Sequence, residues 1–348
     1  MMNRSHCLAL LATIAVCSAA VAAETDSSTS VTRVVFGSCI KQDQPTPIFK
    51  AMAEEKPDLL IFTGDNIYAD TDDMTVMRTK YNTLAENESF GRLRQSATVL
   101  ATWDDHDYGV NDGGADFPKR DQSQKEFLDF WGVAPDSPRR SRSGVYDARV
   151  FGPAGKRVQV ILLDTRYFRS PLKIGERRVG GPYYPDSTAG KTMLGEDQWH
   201  WLERQLQEPA EIRLIISSIQ FVPSDSGQEC WANLPRERQR MLNLINTTKA
   251  NGVVFISGDR HWSEVSRTNN SAGYPIYDIT CSSLNQLHSR GTPTANDFRV
   301  GTQTYHRENY GLLTIDWNGS NPVLAFSIRD LLGKPVIQQT ISLGDLTL

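Results

Sequence analysis

The sequence has no excess of positive charge, and it contains no internal repeat or low-complexity segment. Its 37 basic residues are outnumbered by 41 acidic ones, giving a net charge of −4. This balance excludes a general nucleic-acid binder, which needs a cationic surface. Apolar residues make up 39% of the chain and charged residues 22%, a mixture that excludes intrinsic disorder. We therefore expect a globular protein without a nucleic-acid-binding signature.

Long hydrophobic runs are also scarce, because only the start of the chain contains one. Arg4 precedes a mostly apolar run at residues 7–16, and small residues follow at 18–23. This pattern predicts a secretory signal peptide over residues 1–23, cleaved after Ala23. A lipid anchor on Cys17 is the alternative. Without a second run of spanning length we expect no membrane span, and an exported protein in the periplasm or outside the cell.

The sequence after the predicted signal peptide is expected to form one domain. Residues 24–31 are polar and rich in serine and threonine, which predicts an irregular lead before a domain over residues 32–348. Only three cysteines remain in this part of the chain: Cys39, Cys230 and Cys281. Export places them in an oxidising compartment, where an odd number leaves one unpaired or with another role.

Short apolar runs alternate with amphipathic segments along the chain. The predicted strands are residues 32–37, 57–63, 99–103, 158–163, 212–217 and 252–257, with mostly strand from residue 277 onward. The predicted helices are residues 46–55, 122–131, 195–207 and 236–250. Residues 110–121 and 170–192 are rich in Gly, Pro and Asp and are expected to be loops. Buried strands that alternate with helices predict the α/β class.

Nearly every predicted strand ends in a potential metal ligand. The five residues at these ends are Cys39, Asp65, Asp105, Asp164 and Asp259. Loops from several strands converge at the carboxyl edge of an open α/β sheet, where ligands bind. A buried carboxylate is costly without a partner, and a cation is a natural one. The pattern therefore favours a metal site, although an aspartate after glycine, as at Asp65, is also common in turns.

Two short segments strengthen this interpretation. Residues 104–107 read Asp-Asp-His-Asp, and three carboxylates around one histidine would repel one another without a cation or an arginine. Asp259 and His261 are two residues apart, which places them on the same side of an extended segment. Such a pair can chelate one ion or bridge two.

Six ordered segments resemble the alkaline phosphatase D (PhoD-like) family, a branch of the calcineurin-like metallophosphoesterases. They are residues 37–39 (GSC), 64–68 (GDNIY), 103–107 (WDDHD), 164–166 (DTR), 194–199 (LGEDQW) and 258–261 (GDRH). The resemblance extends from about residue 33 to 330. It implies a four-layer α/β/β/α sandwich with two metal ions at the carboxyl ends of the strands. It also implies hydrolysis of phosphate mono- or diesters, or both, through a metal-bridging hydroxide.

The resemblance further implies roles for individual residues, with Fe³⁺ and Ca²⁺ as the two metals. The implied metal ligands are Cys39, Asp65, Tyr68, Asp259 and His261, with either Asp105 or Asn111 completing the shell of the second ion. Asp65 would bridge both ions. Thiolate and phenolate are anionic donors suited to iron, whereas calcium prefers oxygen donors.

Three further residues would act on the substrate in this interpretation. His106 stands at the family's catalytic histidine position, where it would stabilise or protonate the leaving group. Arg166 and Arg260 are the candidates for binding the phosphate oxygens, and Arg166 could instead pair with a nearby carboxylate. A non-catalytic phosphate- or metal-binding protein on the same scaffold is the alternative function.

The remaining two cysteines are expected to form a disulfide. If Cys39 is a metal ligand, Cys230 and Cys281 are left over, and a bridge between them would close a loop of about 50 residues worth roughly 4 kcal/mol on a chain-entropy basis. The alternative is two separately buried thiols. Oligomeric state is not readable from the sequence.

Overall fold

A computed structural model describes residues 24–26, 29–224, 227–269, 271–288 and 295–348. The predicted signal peptide over residues 1–23, together with Cys17, lies outside the described residues.

Fifteen strands occur in the described residues. They are β1 (Glu24–Asp26), β2 (Arg33–Gly37), β3 (Leu59–Thr63), β4 (Thr98–Thr102), β5 (Asp147–Phe151), β6 (Val158–Leu162), β7 (Lys173–Arg178), β8 (Gly181–Tyr184), β9 (Ile212–Ser217), β10 (Val253–Ser257), β11 (Glu264–Arg267), β12 (Tyr277–Thr280), β13 (Asn309–Asp316), β14 (Val323–Asp330) and β15 (Pro335–Ser342).

Seven α-helices accompany them in the same part of the chain. They are α1 (Ile48–Glu54), α2 (Met74–Ala85), α3 (Glu88–Gln95), α4 (Asp105–Tyr108), α5 (Arg120–Phe130), α6 (Gly195–Gln207) and α7 (Pro235–Thr247). Short 3₁₀ turns lie at Pro138–Arg140, Trp231–Asn233 and Leu343–Leu346.

The strands form two large sheets and one hairpin. The seven-stranded sheet has the order β1-β5-β6-β9-β10-β12-β11, and the six-stranded sheet has the order β15-β14-β13-β2-β3-β4. In the seven-stranded sheet the neighbouring strands β6, β9, β10 and β12 are parallel. In the six-stranded sheet β2, β3 and β4 are parallel. Strands β7 and β8 pair separately as an antiparallel hairpin.

The two sheets pack face to face with helices outside them. Along β2 and β3 the side chains alternate: Val34 and Ile61 belong to the core shared with the seven-stranded sheet and with α6 and α7. Val35 and Leu60 belong instead to a second core formed with α1, α2, α3 and α5. Successive side chains of a strand point to opposite faces of the sheet. The pattern therefore defines four layers, in which two sheets lie in the middle and a layer of helices covers each of them on the outside. The predicted α/β/β/α sandwich is confirmed.

Several predicted boundaries coincide with the structure, and others differ from it. The predictions at residues 195–207 and 212–217 match α6 and β9. Helices α2 and α3 and strand β5 were not predicted from the sequence. The irregular lead predicted at residues 24–31 is wrong in part, because β1 pairs in parallel with β5 and gains a sheet neighbour. The loop predicted at 170–192 contains the β7–β8 hairpin.

In the described part of the chain, we find no helix with both the length and the apolar character needed to span a bilayer.

The packing of the two sheets leads to a prediction about the stability of the protein. Leu313 on β13 is fully buried between them. Its replacement in Leu313→Ala should lower the free energy of unfolding by about 2–5 kcal/mol, because it removes buried methyl groups and leaves a cavity. The matched control Leu332→Ala removes the same atoms from a side chain that is 90% exposed, and should change stability by less than about 0.5 kcal/mol. Equal denaturation midpoints for the two variants would contradict this packing.

Candidate metal centre and active site

The parallel strands of both sheets end at a common edge. Ser218, which follows β9 of the seven-stranded sheet, donates from Oγ to Asp104 Oδ1 at 2.6 Å, just beyond β4 of the six-stranded sheet. Thr165, which follows β6, lies 2.5 Å from Ser218 through the two hydroxyl oxygens. These contacts bring together the loops in which the sequence placed its candidate ligands.

A first cluster of ligand atoms joins Cys39, Asp65 and His261. One donor atom from each of the three lies within 4.8 Å of the other two. Tyr68 completes the group, since its Oη lies 2.8 Å from His261 Nε2 and donates to Asp65 Oδ2 at 3.2 Å. The structure thus brings together four of the residues that the resemblance implies as metal ligands.

A second cluster lies beside the first and shares Asp65 with it. Asp104, Asp105 and Asp259 approach one another within the same 4.8 Å, and so do Asp65, Asp105 and His106. Asp65 therefore belongs to both groups, and its role as a bridging ligand stays a prediction. Asn111 is exposed, and it lines the same cavity as Asp105.

Backbone strain is concentrated at these positions. Eight non-glycine residues in the described ranges have a positive φ, and six belong to the site or its border. The six are Cys39 (66°), Asp65 (51°), Asp70 (46°), Asp112 (55°), Asp259 (68°) and His261 (58°). Left-handed backbone is unfavourable for residues with a Cβ, and such strain is found where function requires it. Four of the six, Cys39, Asp65, Asp259 and His261, bring candidate ligand atoms to the site.

Burial and mutual repulsion shift the pKa values of the ionisable side chains in the two clusters. Burial, followed by the charges of Asp105 and Asp104, raises the pKa of Asp65 well above its usual range. Burial and then Asp104 raise the pKa of Asp259 in the same way. Burial and the nearby His106 lower the pKa of His261 to about 3, so its imidazole is neutral and can donate an electron pair to a metal.

Two carboxylate oxygens of the cluster have no hydrogen-bond partner among the described residues. They are Asp104 Oδ2 and Asp105 Oδ1, and both are buried. A buried anionic oxygen is costly unless a donor or a cation compensates it. A thiol, a phenol, a neutral imidazole and several carboxylates are a donor set suited to two cations. The residues present therefore fit a pair of metal ions that share Asp65.

His106 lies beside the cluster and is held in place by an aspartate. Its Nδ1 is 2.6 Å from Asp70 Oδ1, and its ring packs against Tyr68 with centroids 4.2 Å apart. Burial by itself lowers the pKa of His106, but the hydrogen bond to Asp70 and the charge of Asp105 outweigh it and raise the pKa to about 9. Since Nδ1 is engaged, the other ring nitrogen is the one available to a substrate.

Arg166 is completely buried below the cluster rather than on the cavity wall. Its Nε donates to Asp104 Oδ1 at 2.5 Å, and a second nitrogen pairs with Glu229. Glu229 also pairs with Arg169 at 2.9 Å. Burial raises the pKa of Asp105, but Arg166, His106 and the Asp112 amide together lower it to about 2. These contacts give Arg166 a positioning role and do not support the predicted contact with phosphate.

A cavity of about 280 Å³ opens over the two clusters. Its wall includes Asp105, His106, Asp259, His261 and the predicted phosphate-binding residue Arg260. The buried Arg260 guanidinium lies 4.4 Å from the Trp262 ring and 3.9 Å from Asp259. The β7–β8 hairpin forms the opposite wall. Ligand atoms, histidines and two arginines, Arg177 and Arg260, therefore share a space that a phosphate ester could enter.

Sequence reasoning missed four residues of this arrangement: Asp70, Asp112, Tyr183 and Glu229. Asp70 closely follows the Gly-Asp-Asn-Ile-Tyr segment, so its spacing was a usable signal. Tyr183 donates to Asp112 Oδ2 at 2.6 Å and so ties the hairpin to the site, but no local pattern marks that long-range contact. Glu229 lies in a loop whose position depends on the whole fold.

Asp164 is the one strand-end candidate that lies outside the metal clusters found in the described structure. Its Oδ1 accepts from the backbone N–H groups of Arg166 and Tyr167, both at 2.9 Å, and its Oδ2 accepts from Val145 at 2.9 Å. Asp164 therefore fixes a turn, which is the ordinary role of an aspartate at such a junction.

The predicted disulfide between Cys230 and Cys281 is wrong in this structure. Neither cysteine is in a disulfide, and both are buried at separate places. Cys281 follows β12 and donates to Asn309 Oδ1 at 3.2 Å, while Cys230 begins the Trp231–Asn233 turn. The two cysteines lie in different elements of the fold. The prediction rested on loop length and on an oxidising compartment, and neither determines whether the two residues come close enough to form a disulfide.

The sandwich and its paired ligand clusters define the α/β metallophosphoesterase class. A family model described as PhoD-like phosphatase matches residues 34–312, and the chain belongs to this family. Alkaline phosphatase D of Bacillus subtilis (strain 168) is 24% identical in an alignment of 252 residues that covers 62% of this chain and 43% of that protein. The match therefore spans less than half of the curated relative.

Solved structures agree with this fold. A structure of PhoD superposes with a TM-score of 0.64 at 18% identity, covering 91% of this chain and 69% of that one. A dimetal phosphatase from Danio rerio superposes with a TM-score of 0.53 at 13% identity, covering 90% of this chain and 99% of that one.

The cysteine geometry predicts the outcome of thiol mapping. Protein unfolded without reductant should take up one alkyl group at each of Cys39, Cys230 and Cys281, because no pair of them is bridged. Peptide mass spectrometry measures this directly. A linked peptide pair containing residues 230 and 281 would contradict the geometry described here.

The shared position of Asp65 predicts its effect on metal content. Asp65→Asn should reduce the metal bound per chain by at least one equivalent, because a neutral amide replaces the anionic ligand common to both clusters. Elemental analysis of the purified protein measures the change. Asp136→Asn, on an exposed side chain, is the matched control and should retain the full content. Equal metal content in the two variants would exclude Asp65 as a ligand.

Proposed function

We propose that the protein is an exported, metal-dependent phosphoesterase that hydrolyses phosphate mono- or diesters, or both. The observation that supports this best is the position of His106, which is oriented by Asp70 and lies on the same cavity wall as Asp105, Asp259 and His261. A protein that only stored a metal would gain nothing from a proton-carrying group at this place.

The two clusters differ in the metal that they suit. Cys39 and Tyr68 offer sulfur and phenol donors to the first, and we assign Fe³⁺ to it. Asp105 and Asp259 offer carboxylates to the second, which we assign to Ca²⁺ with Asn111 available from the cavity wall. When bound, a metal pair of this kind supplies Lewis-acid activation of the ester and of the attacking water.

The chain's own residues supply the other parts of the reaction. His106, with Nδ1 bound to Asp70, presents its other nitrogen and can give a proton to the departing alkoxide. Arg260 contributes a buried positive charge to the cavity wall, where it can bind a phosphate oxygen. Arg166 keeps Asp104 and Asp105 in place from below.

Export is the remaining part of the proposal. The charged start, apolar run and small-residue exit of residues 1–23 support a cleaved signal peptide and a periplasmic or extracellular location. Three cysteines without a disulfide are compatible with that location because all three are buried.

Turnover of model esters tests the proposed activity. The metal-loaded protein should hydrolyse p-nitrophenyl phosphate or bis(p-nitrophenyl) phosphate, and the ratio of the two rates gives the mono- against diester preference. His106→Ala should lower kcat by roughly 10²–10⁴-fold while the metal content stays unchanged, because it removes the proton donor and no ligand. Asp70→Asn should cause a smaller loss, since it weakens the orientation of the ring.

His200→Ala provides the matched control for these variants, because His200 is exposed on α6 and far along the chain from the site. It should keep wild-type kcat. Bound metal without hydrolysis of either ester would favour the non-catalytic phosphate- or metal-binding protein instead. A wild-type rate for His106→Ala would remove His106 from the mechanism.

A further inference from the structure

A second cavity of about 320 Å³ lies at the side of the sandwich. Its walls are edge strand β4 of one sheet, β5 and β6 of the other, and the ends of α5 and α6. Among the described residues it shares no lining side chain with the cavity over the metal clusters. The proposed phosphoesterase activity does not use it, and the inference that follows does not rest on that activity.

The charge of this side cavity is strongly one-sided. Four arginines contribute to its lining, Arg94, Arg139, Arg142 and Arg149, whereas Asp147 is the one carboxylate among the described lining residues. Asp147 is engaged by Arg139 at 3.3 Å. Arg139 and Arg149 each have further partners, so Arg94 and Arg142 are the guanidinium groups that would attract an anion here.

The Arg94 side chain lines the cavity and packs against aromatic rings, not against a carboxylate. Its guanidinium carbon lies 5.3 Å from the centroids of both the Phe130 and Trp131 rings and 5.6 Å from that of Phe90. Burial lowers the pKa of Arg94, and no charged neighbour contributes to the shift. A half-buried cation held only by rings can accept an anionic partner without first losing another.

Arg142 stands on the other side of the same space. Its guanidinium lies 4.0 Å from the Tyr146 ring and 5.6 Å from the Trp201 ring. Arg142 Nη2 also donates to the backbone carbonyl of Tyr146. This bond and the two ring contacts hold the guanidinium beside the cavity, where its positive charge can attract an anionic group.

We propose that this side cavity is a binding site for a small aromatic anion, a flat ring carrying a phosphate, sulfonate or carboxylate group. The guanidinium groups of Arg94 and Arg142 bind the anionic group, and the indole rings of Trp131 and Trp201 contact the ring. The volume is that of a small organic ligand, at the lower end of the range for such sites. Arginine suits both contacts, since it pairs with anions and stacks on rings.

Calorimetric titration of the metal-loaded full chain with 1-naphthalenesulfonate tests this site. We expect saturable binding of one molecule per chain, and binding at least roughly tenfold weaker in Arg142→Ala, the usual effect of removing a charged hydrogen-bond donor. Sodium sulfate lacks the ring and naphthalene-1-methanol lacks the charge, so each should bind at least tenfold more weakly.

Arg94→Gln gives a second and independent variant, in case loss of the Arg142–Tyr146 contact prevents folding. It should show the same weakening, and thermal melting monitored by circular dichroism verifies that each variant is folded. Arg204→Ala, on an exposed arginine of α6, is the matched control and should bind the probe as wild type does. Unchanged affinity in both cavity variants, or absence of saturable binding, would overturn the proposal.

Discussion

The burial of several carboxylates at one edge of the sandwich is the constraint on which the site depends. Asp65, Asp104 and Asp105 are buried and Asp259 is half-buried. Asp105 lies with a carboxylate oxygen within 4.8 Å of one from each of the other three. Like charges in such surroundings disfavour ionisation, and the raised pKa values of Asp65 and Asp259 express that cost. The arrangement becomes favourable only with compensating positive charge, which the fold supplies in part and leaves in part to bound metal.

The compensation that the fold supplies is the buried arginine below the carboxylates. Arg166 neutralises Asp104 and lies 3.7 Å from Asp105, and Glu229 joins it to Arg169. Because this network lies beneath the cluster, it fixes the carboxylates without closing the cavity above them. The left-handed backbone at the ligand positions adds to this fixed geometry, so that little reorganisation is needed to bind a cation.

Much of the fold could be predicted because its strands are short apolar runs buried on both faces. The strands leading to Cys39, Asp65 and Asp259 were recognisable in this way, and α6 was recognisable from its apolar stripe. Helices α2 and α3 were missed although each begins at a capping residue, Asp73 and Asn87. The apolar face of α2 is weakly marked, and α3 has only 8 residues. Strand β5 was missed since polar and apolar residues mix along it.

The sequence by itself determined which residues could act as donors and that most of them follow strands, since donor chemistry and strand ends are local properties. Only the tertiary structure decided which of them meet: Asp65 enters the cluster, whereas Asp164 turns away to cap a loop. It also placed Arg166 under the site and kept Cys230 and Cys281 apart. These outcomes depend on how two sheets pack, because contacts between residues distant in the chain are set by that packing and leave no local pattern.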